Sequence, residues 1–219
     1  MTRTKPAEQR RADLLAAGQA LFLANGVAGT SLEDITQRAG VSKGLFYLYF
    51  SSKEDLVLAL QEQFSREFAD RMRAAADAQA DWPDRLDACV RAGFECYREL
   101  HDLHEVLFHH AHAAPPGSSG SRSGGPRSGG PGSAEPGAGG AGVGQPDPAP
   151  TAATRVIHDL LAAGTAAGAF DVADPESTAV LCYASMHAFD RGFRGRPGPD
   201  DARLIRAAQR LFRRAAGLA

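Results

Sequence analysis

The spacing of the apolar residues constrains the fold of this chain more than any other feature. Outside one Gly- and Pro-rich segment they recur every three or four residues, as at Leu60, Phe64, Phe68 and Met72. This spacing places them on one face of an α-helix, whereas a half-buried strand would alternate apolar and polar residues. The sequence also lacks a β-hairpin signal. The pattern therefore predicts an all-α chain.

Read together with start and stop signals, the same periodicity predicts nine helices. Their approximate bounds are residues 6–25, 31–39, 43–50, 53–80, 83–100, 102–113, 151–168, 174–194 and 200–216. Thr30 with Glu33 resembles a capping box before the second helix. Ser42 is placed to cap the third helix, and Ser52 is placed to cap the fourth.

Residues 115–150 form the Gly- and Pro-rich segment. They contain no aromatic residue, and Val143 is their single aliphatic side chain of any size. Such a composition cannot bury enough apolar surface to offset the entropy of ordering the chain. We therefore expect a flexible loop at 115–150.

Charge is distributed unevenly along a chain whose formal net charge is −2. Through Lys53 there are seven Lys or Arg residues and four Asp or Glu residues, which gives this part +3. A basic head on an acidic body suits a protein that presents one end to phosphates.

Two further expectations concern the compartment. No run is long and apolar enough to span a membrane, and the N-terminus lacks the apolar core of a signal peptide, so we expect a cytoplasmic protein without a membrane partner. The three cysteines, Cys89, Cys96 and Cys182, form no CxxC pair and are expected to be reduced, buried thiols.

The first three predicted helices have the outline of a helix-turn-helix with a supporting first helix. Gly40 supplies a left-handed residue between the two short helices. Phe46 and Phe50 are four residues apart and face inward, whereas Lys43 and Tyr47 face outward. The expected core of this head comprises Leu14, Gly18, Leu21, Phe22, Ile35, Ala39, Val41, Phe46 and Phe50.

Residues 20–56, "ALFLANGVAGTSLEDITQRAGVSKGLFYLYFSSKEDL", resemble the TetR-type bacterial transcriptional regulators. The resemblance rests on the Gly turn, the Thr-Ser cap, "AGVSKG", the aromatic "YLYF" and the closing "SKEDL". The chain departs from the family at Thr36, where Ala is usual, and at Leu45 and Phe46, where a small Thr and a Leu are usual. Because Leu45 lies on the expected base-facing edge, a thymine methyl becomes its plausible target.

The resemblance implies a set of contacts with double-stranded DNA. Thr30 and Ser31 would reach a phosphate from the start of the second helix, and Lys43 and Gly44 would approach base edges. Tyrosines and a lysine would clamp the flanking backbone. The full set of expected DNA-binding residues is Thr30, Ser31, Ser42, Lys43, Gly44, Leu45, Tyr47, Tyr49 and Lys53.

The resemblance also divides the chain into a DNA-binding domain at 1–52 and an effector-binding and dimerisation domain at 53–219. It implies that the last two helices pair with those of a second subunit, with a seam formed by Ala184, Ala188, Leu204, Ala208 and Leu211. The long fourth helix would be the lever between the two domains. The expected pocket for a hydrophobic or aromatic small molecule comprises Phe94, Tyr97, Phe108, His112, Tyr183, Met186 and His187.

The run "HDLHEVLFHHAH", which holds five histidines between His101 and His112, leaves several interpretations open. A zinc-protease site requires histidines four residues apart, and His104-Glu105 is followed by His109 instead, so this reading fails. The histidines remain candidates for a metal sensor, for pocket-lining or pH-tuned groups, or for surface and packing residues.

The leading functional expectation is a repressor that binds an inverted-repeat operator as a homodimer and is released by a hydrophobic small molecule. The alternatives are a metal- or redox-responsive regulator on the same fold and a non-specific architectural DNA-binding protein. The sequence has no GxSxG elbow, P-loop or HExxH motif, so we expect neither an enzyme nor a cofactor.

Overall fold

The computed structural model describes residues 6–108, 151–192 and 201–218. Within these ranges every regular element is a helix, which confirms the predicted all-α class. The helices are α1 (Ala7–Asn25), α2 (Leu32–Ala39), α3 (Lys43–Phe46), α4 (Lys53–Asp77), α5 (Trp82–Glu99), α6 (His101–Phe108), α7 (Ala152–Ala166), α8 (Pro175–Gly192) and α9 (Asp201–Ala215). The loop expected at 115–150 lies outside the described residues, as do His109, His110 and His112.

Helix α2 begins one residue later than the predicted capping box requires. The Ser31 hydroxyl accepts the Asp34 N–H at 3.1 Å, and the Asp34 carboxylate accepts the Ser31 N–H at 2.9 Å. Ser31 and Asp34 therefore form the box that the sequence assigned to Thr30 and Glu33. The reason is that the Thr30 hydroxyl is turned inward, where it donates to the carbonyl oxygen of Gly26 at 2.8 Å.

Helix α3 is shorter than predicted. Its helical bounds end at Phe46, and the chain then continues as turns in which the Phe50 N–H still donates to the Phe46 carbonyl oxygen at 3.0 Å. The predicted serine caps are confirmed, since Ser42 accepts from the Leu45 N–H and Ser52 accepts from the Asp55 N–H. Gly40 adopts the left-handed conformation at φ 67°, as the predicted turn required.

The head has a closed apolar core built from α1, α2, α3 and the start of α4. Phe22, Ile35 and Phe46 are completely buried at its centre, and Leu14 and Leu56 pack beside them. The rings of Phe46 and Phe50 lie 5.6 Å apart, and the Arg11 guanidinium covers Phe50 from outside.

Helix α4 connects this head to the body. Its first turns bury Leu56, Val57 and Leu60, and its later turns bury Phe64, Phe68 and Met72. At about 1.5 Å per residue its 25 residues span roughly 37 Å. A displacement of either end is therefore transmitted along one continuous element.

Helices α5, α6 and α7 pack against α4, whereas α8 packs mainly against α7 and α9 mainly against α5. Asp87 on α5 accepts two hydrogen bonds from the Arg213 guanidinium on α9, at 3.0 and 2.8 Å. Gln209 also donates to the Asp87 carbonyl oxygen. None of the helices in the described part of the chain is both long and apolar enough to cross a membrane.

Candidate nucleic-acid interface and ligand cavity

The outward side of α3 is fixed by the burial of its inward side. Phe46 is fully buried and Phe50 is 2% exposed, so the residues between and before them on the opposite side must face solvent. Tyr47 is 58% exposed, and its ring meets the edge of Phe46 at 5.6 Å. Gly44 is also exposed, and a Cβ placed on it would meet nothing closer than the Ser42 hydroxyl at 3.9 Å.

Lys43 begins the outward face and is paired with Glu33 on α2. Its ammonium lies 2.9 Å from the Glu33 carboxylate, and both side chains are largely exposed. The hydrogen bond from the ammonium to Glu33, helped by the attraction between the charges, raises the pKa of Lys43. The lysine is therefore charged at neutral pH and is held across the gap between α2 and α3.

Lys53 is bound more firmly than a surface lysine. Its ammonium donates to the carbonyl oxygens of Val27 at 2.8 Å and of Thr30 at 2.9 Å. These two bonds fasten the start of α4 to the connection between α1 and α2. Since an ammonium carries three donors, one remains for a phosphate.

The start of α2 is less suited to a phosphate than the sequence predicted. Thr30 is 1% exposed, and its hydroxyl donates to backbone carbonyls of the same connection. The expectation that this hydroxyl reaches a phosphate is therefore wrong. Ser31 is exposed, but its hydroxyl and N–H both bond the Asp34 carboxylate, and these bonds lower the pKa of Asp34.

The remaining predicted DNA-contacting residues differ in exposure. Ser42 is exposed, although its hydroxyl caps α3. Leu45 and Tyr49 are half-buried, and Tyr49 packs against the core. Leu48, which is not among the predicted DNA-contacting residues, is 77% exposed. The sequence could not identify Leu48 as a surface residue, because an apolar residue in a helical pattern is predicted to be buried.

The body contains a cavity of about 310 Å³ between α4, α5, α6, α7 and α8. It is lined by Phe64, Ser65, Phe68, Tyr97, His104, Phe108, Thr151, Ala153 and Tyr183. None of these described lining residues is Lys, Arg, Asp or Glu. The cavity is therefore mostly aromatic, with hydroxyl and imidazole groups at its wall.

Ring contacts hold the wall together around His104. The imidazole stacks on Phe108 at 4.9 Å and meets Tyr97 edge-on at 5.2 Å. His104 is 7% exposed. On α8, burial raises the pKa of the Tyr183 phenol despite a hydrogen bond with Thr151. The Tyr183 phenol is consequently neutral at physiological pH and offers hydrogen bonds rather than charge.

The structure brings part of the predicted pocket together. Tyr97, Phe108 and Tyr183 line the cavity. Phe94 and Met186 are not among the residues that line this cavity, and both are buried in the core. The Met186 methyl packs directly over Gly93. Spacing identifies the apolar face of a helix, but it does not fix the exact rotation of that helix. It therefore could not show which apolar residues line the cavity.

Two predicted pocket residues are not placed by the structure. His112 lies outside the described residues, and His187 falls in α8 at a position whose side chain is not described. Conversely, Phe64 and Phe68 were visible in the sequence as part of the apolar stripe of α4. Nothing in their spacing distinguishes a cavity wall from a filled core.

The three cysteines are free and buried. Burial raises the pKa of Cys89 to about 12 and the pKa values of Cys96 and Cys182 to about 11. Thiols with such values are protonated at neutral pH and react slowly. Across residues 6–108, 151–192 and 201–218, no three His, Cys, Asp or Glu side chains are grouped to hold a metal ion.

Only some of the residues predicted to form the subunit seam are exposed at the surface. Leu211 on α9 is 52% exposed, and Ala184 on α8 is exposed as well. Leu204 is half-buried, and Ala188 lies in α8 with its side chain outside the description. Ala208 is 5% exposed and packs within the subunit, so its predicted place in the seam is wrong. Val180 and Leu181 extend the exposed apolar face of α8.

Comparison with known proteins gives matches to both parts of the chain. Residues 14–60 match the family model described as bacterial regulatory proteins, tetR family. The transcriptional activator FasR of Mycolicibacterium smegmatis is 31% identical over 111 residues, which cover 51% of this chain and 51% of FasR. The transcriptional repressor KstR2 of Mycobacterium tuberculosis is 34% identical over 92 residues, 42% of this chain and 46% of KstR2. The chain thus spans about half the length of the curated relatives it matches.

The likeness of fold extends further than the likeness of sequence. A tetR-family regulatory protein from Rhodococcus RHA1 has a TM-score of 0.56 at 20% identity, and the match covers 99% of this chain and 100% of that chain. The chain therefore shares with that protein a helical fold in which a three-helix head is joined by α4 to a helical body. The match at residues 14–60 covers most of the three-helix head and the start of α4, so this part of the chain is similar to the bacterial regulatory proteins of the tetR family.

Proposed function

We propose that the protein is a cytoplasmic, ligand-responsive transcriptional regulator that binds an inverted-repeat operator as a homodimer. The observation that carries the proposal is the outward face of α3. Because Phe46 and Phe50 anchor this short helix from behind, its exposed side presents Lys43, Gly44 and Tyr47 in a fixed orientation. An element of this kind can enter the major groove without reorganising.

The DNA contacts divide by chemistry. Lys43 and Gly44 at the start of α3 approach base edges. Because Gly44 has no side chain, the backbone can come close to the floor of the groove there. Tyr47, Tyr49 and the remaining donor of Lys53 hold flanking phosphates, and Ser31 and Ser42 contribute hydroxyls at two helix starts. Phosphate contacts supply affinity and salt dependence, while contacts with base edges supply specificity.

A homodimer provides the second recognition helix. The exposed face of α8 and α9, which carries Val180, Leu181 and Leu211, is the surface proposed to pair with its copy. A two-fold axis there would set the two α3 helices about 34–36 Å apart, one turn of DNA. This geometry requires an operator with two inverted half-sites.

The cavity is proposed to bind the effector. Its volume lies near the lower end of the range for small-molecule sites, and its described wall has rings and hydroxyls without formal charge. A compact, uncharged, ring-bearing molecule with one or two hydrogen-bonding groups fits this wall. Phe64 and Phe68 belong to α4, so a ligand that displaces them moves the helix whose start is bound to the head through Lys53.

Release of DNA follows if the ligand prefers one arrangement of α4 over the other, since equal affinity for both would shift nothing. We infer a repressor, in which the bound ligand disfavours the spacing that DNA requires. The relatives include both a named repressor and a named activator. The direction is measured by transcription from a promoter that overlaps the selected operator, with and without ligand.

The DNA part is tested by selecting bound sequences from a random duplex pool at fixed salt. One enriched inverted repeat is expected. The double variant Lys43→Ala, Tyr47→Ala should then bind more weakly and show a shallower dependence of affinity on salt, by roughly one unit of slope per lost phosphate contact. Unchanged affinity and slope would refute the proposed interface, and uniform weak binding would favour an architectural role.

The ligand part is tested by filling the cavity. Ala153→Phe adds a ring at the wall, and Ala163→Phe adds the same ring at an exposed position of the same helix. We expect the neutral fluorophore N-phenyl-1-naphthylamine to bind the wild type and Ala163→Phe but not Ala153→Phe. Operator binding should persist in both variants. Equal fluorophore binding in all three proteins would place the site elsewhere.

A further inference from the structure

The most exposed leucine of the head stands on the recognition surface. Leu48 is 77% exposed, more than any other large hydrophobic side chain in the described part of the chain. A single exposed leucine is ordinary on a protein surface, so exposure alone assigns nothing. What distinguishes Leu48 is its position relative to the buried side of α3.

At about 100° per residue, Leu48 lies two residues and roughly 200° from Phe46, which places it on the side opposite the buried ring. After Phe46 the chain continues in tight turns of the same hand, since the Tyr47 N–H donates to the Lys43 carbonyl oxygen and the Leu48 N–H donates to that of Leu45, three residues before it. Leu48 also stands one turn after Gly44, where no side chain is present. The outward side of this surface therefore carries Gly44, which has no side chain, and one turn later the side chain of Leu48.

The sequence pointed to Leu45 as the residue that meets a thymine methyl, but the structure leaves Leu45 half-buried. We infer that Leu48 is the specificity-determining residue that packs against the 5-methyl group of a thymine in each half-site. Thymine is the base that presents an apolar group in the major groove, and contact with that methyl is the way an aliphatic side chain distinguishes bases there. This inference rests on the proposed function.

The test uses the full-length protein and the operator obtained by selection. Each thymine of a half-site is replaced in turn by uracil, which removes the methyl and retains the base pair. At one position, in both half-sites, the wild type should bind about fourfold more weakly per lost methyl, which corresponds to about 0.8 kcal/mol. Leu48→Ala should bind the thymine and uracil operators equally.

Leu58→Ala serves as the matched control, because Leu58 is 58% exposed but belongs to α4. It should retain the wild-type preference for thymine. The inference is overturned if Leu48→Ala keeps that preference, if Leu45→Ala abolishes it instead, or if no thymine position is sensitive to uracil. Failure to select any operator is a different result and refutes the proposed function itself.

Discussion

The head and the body of this protein use aromatic residues in opposite ways. In the head, Phe22 and Phe46 are fully buried in a closed core. In the body, Phe64 and Phe68 are also mostly buried, but they border a cavity of about 310 Å³. The rings of the head fill their core, whereas these rings of the body border an unfilled cavity.

Polar groups follow the same division. In the head, Thr30 and Lys53 bond backbone carbonyls and fix the relative positions of helices. Around the cavity, the Tyr97 phenol and the His104 imidazole are placed at a wall. The difference teaches that the proposed DNA-facing surface is built for rigidity, whereas the body retains a space that the proposed ligand would fill. Both properties meet in α4.

The largest expected effect is the loss of stability when a buried phenylalanine of the head or of the body is replaced by alanine. Phe46→Ala should destabilise the protein by roughly 3–5 kcal/mol, because a fully buried ring leaves a new cavity. Phe64→Ala should cost about half of that, since one side of its ring already faces a void. Urea denaturation followed by circular dichroism gives both free energies of unfolding. Equal costs would show that the body cavity is closed in solution.

The second effect concerns the two lysines. Lys53→Met removes an ammonium bonded to two carbonyl oxygens and should cost about 1.5–3 kcal/mol of stability. Lys43→Met removes an exposed ion pair and should leave thermal stability unchanged. Both variants should lose affinity for the selected operator. A Lys53→Met protein as stable as the wild type would contradict the structural role assigned to this lysine.

A third, smaller effect contrasts two glycines of the helix-turn-helix. Gly40→Ala forces a side chain into the left-handed region and should cost about 1 kcal/mol of stability. Gly44→Ala should cost no stability, because its Cβ meets open space. It should nevertheless weaken operator binding about tenfold or more, as overpacking penalties are roughly 1–3 kcal/mol. Fluorescence anisotropy with a labelled operator measures this affinity. Unchanged binding would show that the DNA groove does not approach Gly44.

The smallest effect at neutral pH comes from the thiols of the body. Their folded pKa values, about 11 to 12, exceed the ordinary value of 9.0. Above pH 9 the unfolded chain loses thiol protons that the folded chain retains, so this contribution is present below pH 9 and is lost as pH rises toward 11. Native protein at pH 8 should resist iodoacetamide, and urea-unfolded protein should react at all three cysteines. Rapid labelling of the native protein would revive the redox-responsive alternative.

Local signals predicted much of the head correctly because they act within a few residues. The Ser42 and Ser52 caps and the left-handed Gly40 lie where the sequence indicated. The capping box of α2 was misplaced by one residue, since Thr30 and Ser31 are both good caps. The choice was made by the tertiary contacts of Thr30 with the end of α1.

The candidate sites show the same limit. Spacing identified the apolar face of α4, but it could not tell that Phe64 borders a void while Met72 is fully packed. It also selected Met186, whose side chain is used to cover Gly93. Helix rotation and the approach of neighbouring helices decide these roles, and neither is encoded in a local pattern.

The sequence by itself therefore determined the all-α class, most helix bounds and the inward placement of Phe46 and Phe50, because each depends on short-range periodicity or backbone conformation. The tertiary structure alone decided which outward residues stand clear of the head and which buried residues surround a cavity. Those properties depend on distances between helices that are remote in the chain, and packing sets such distances only when the whole core forms.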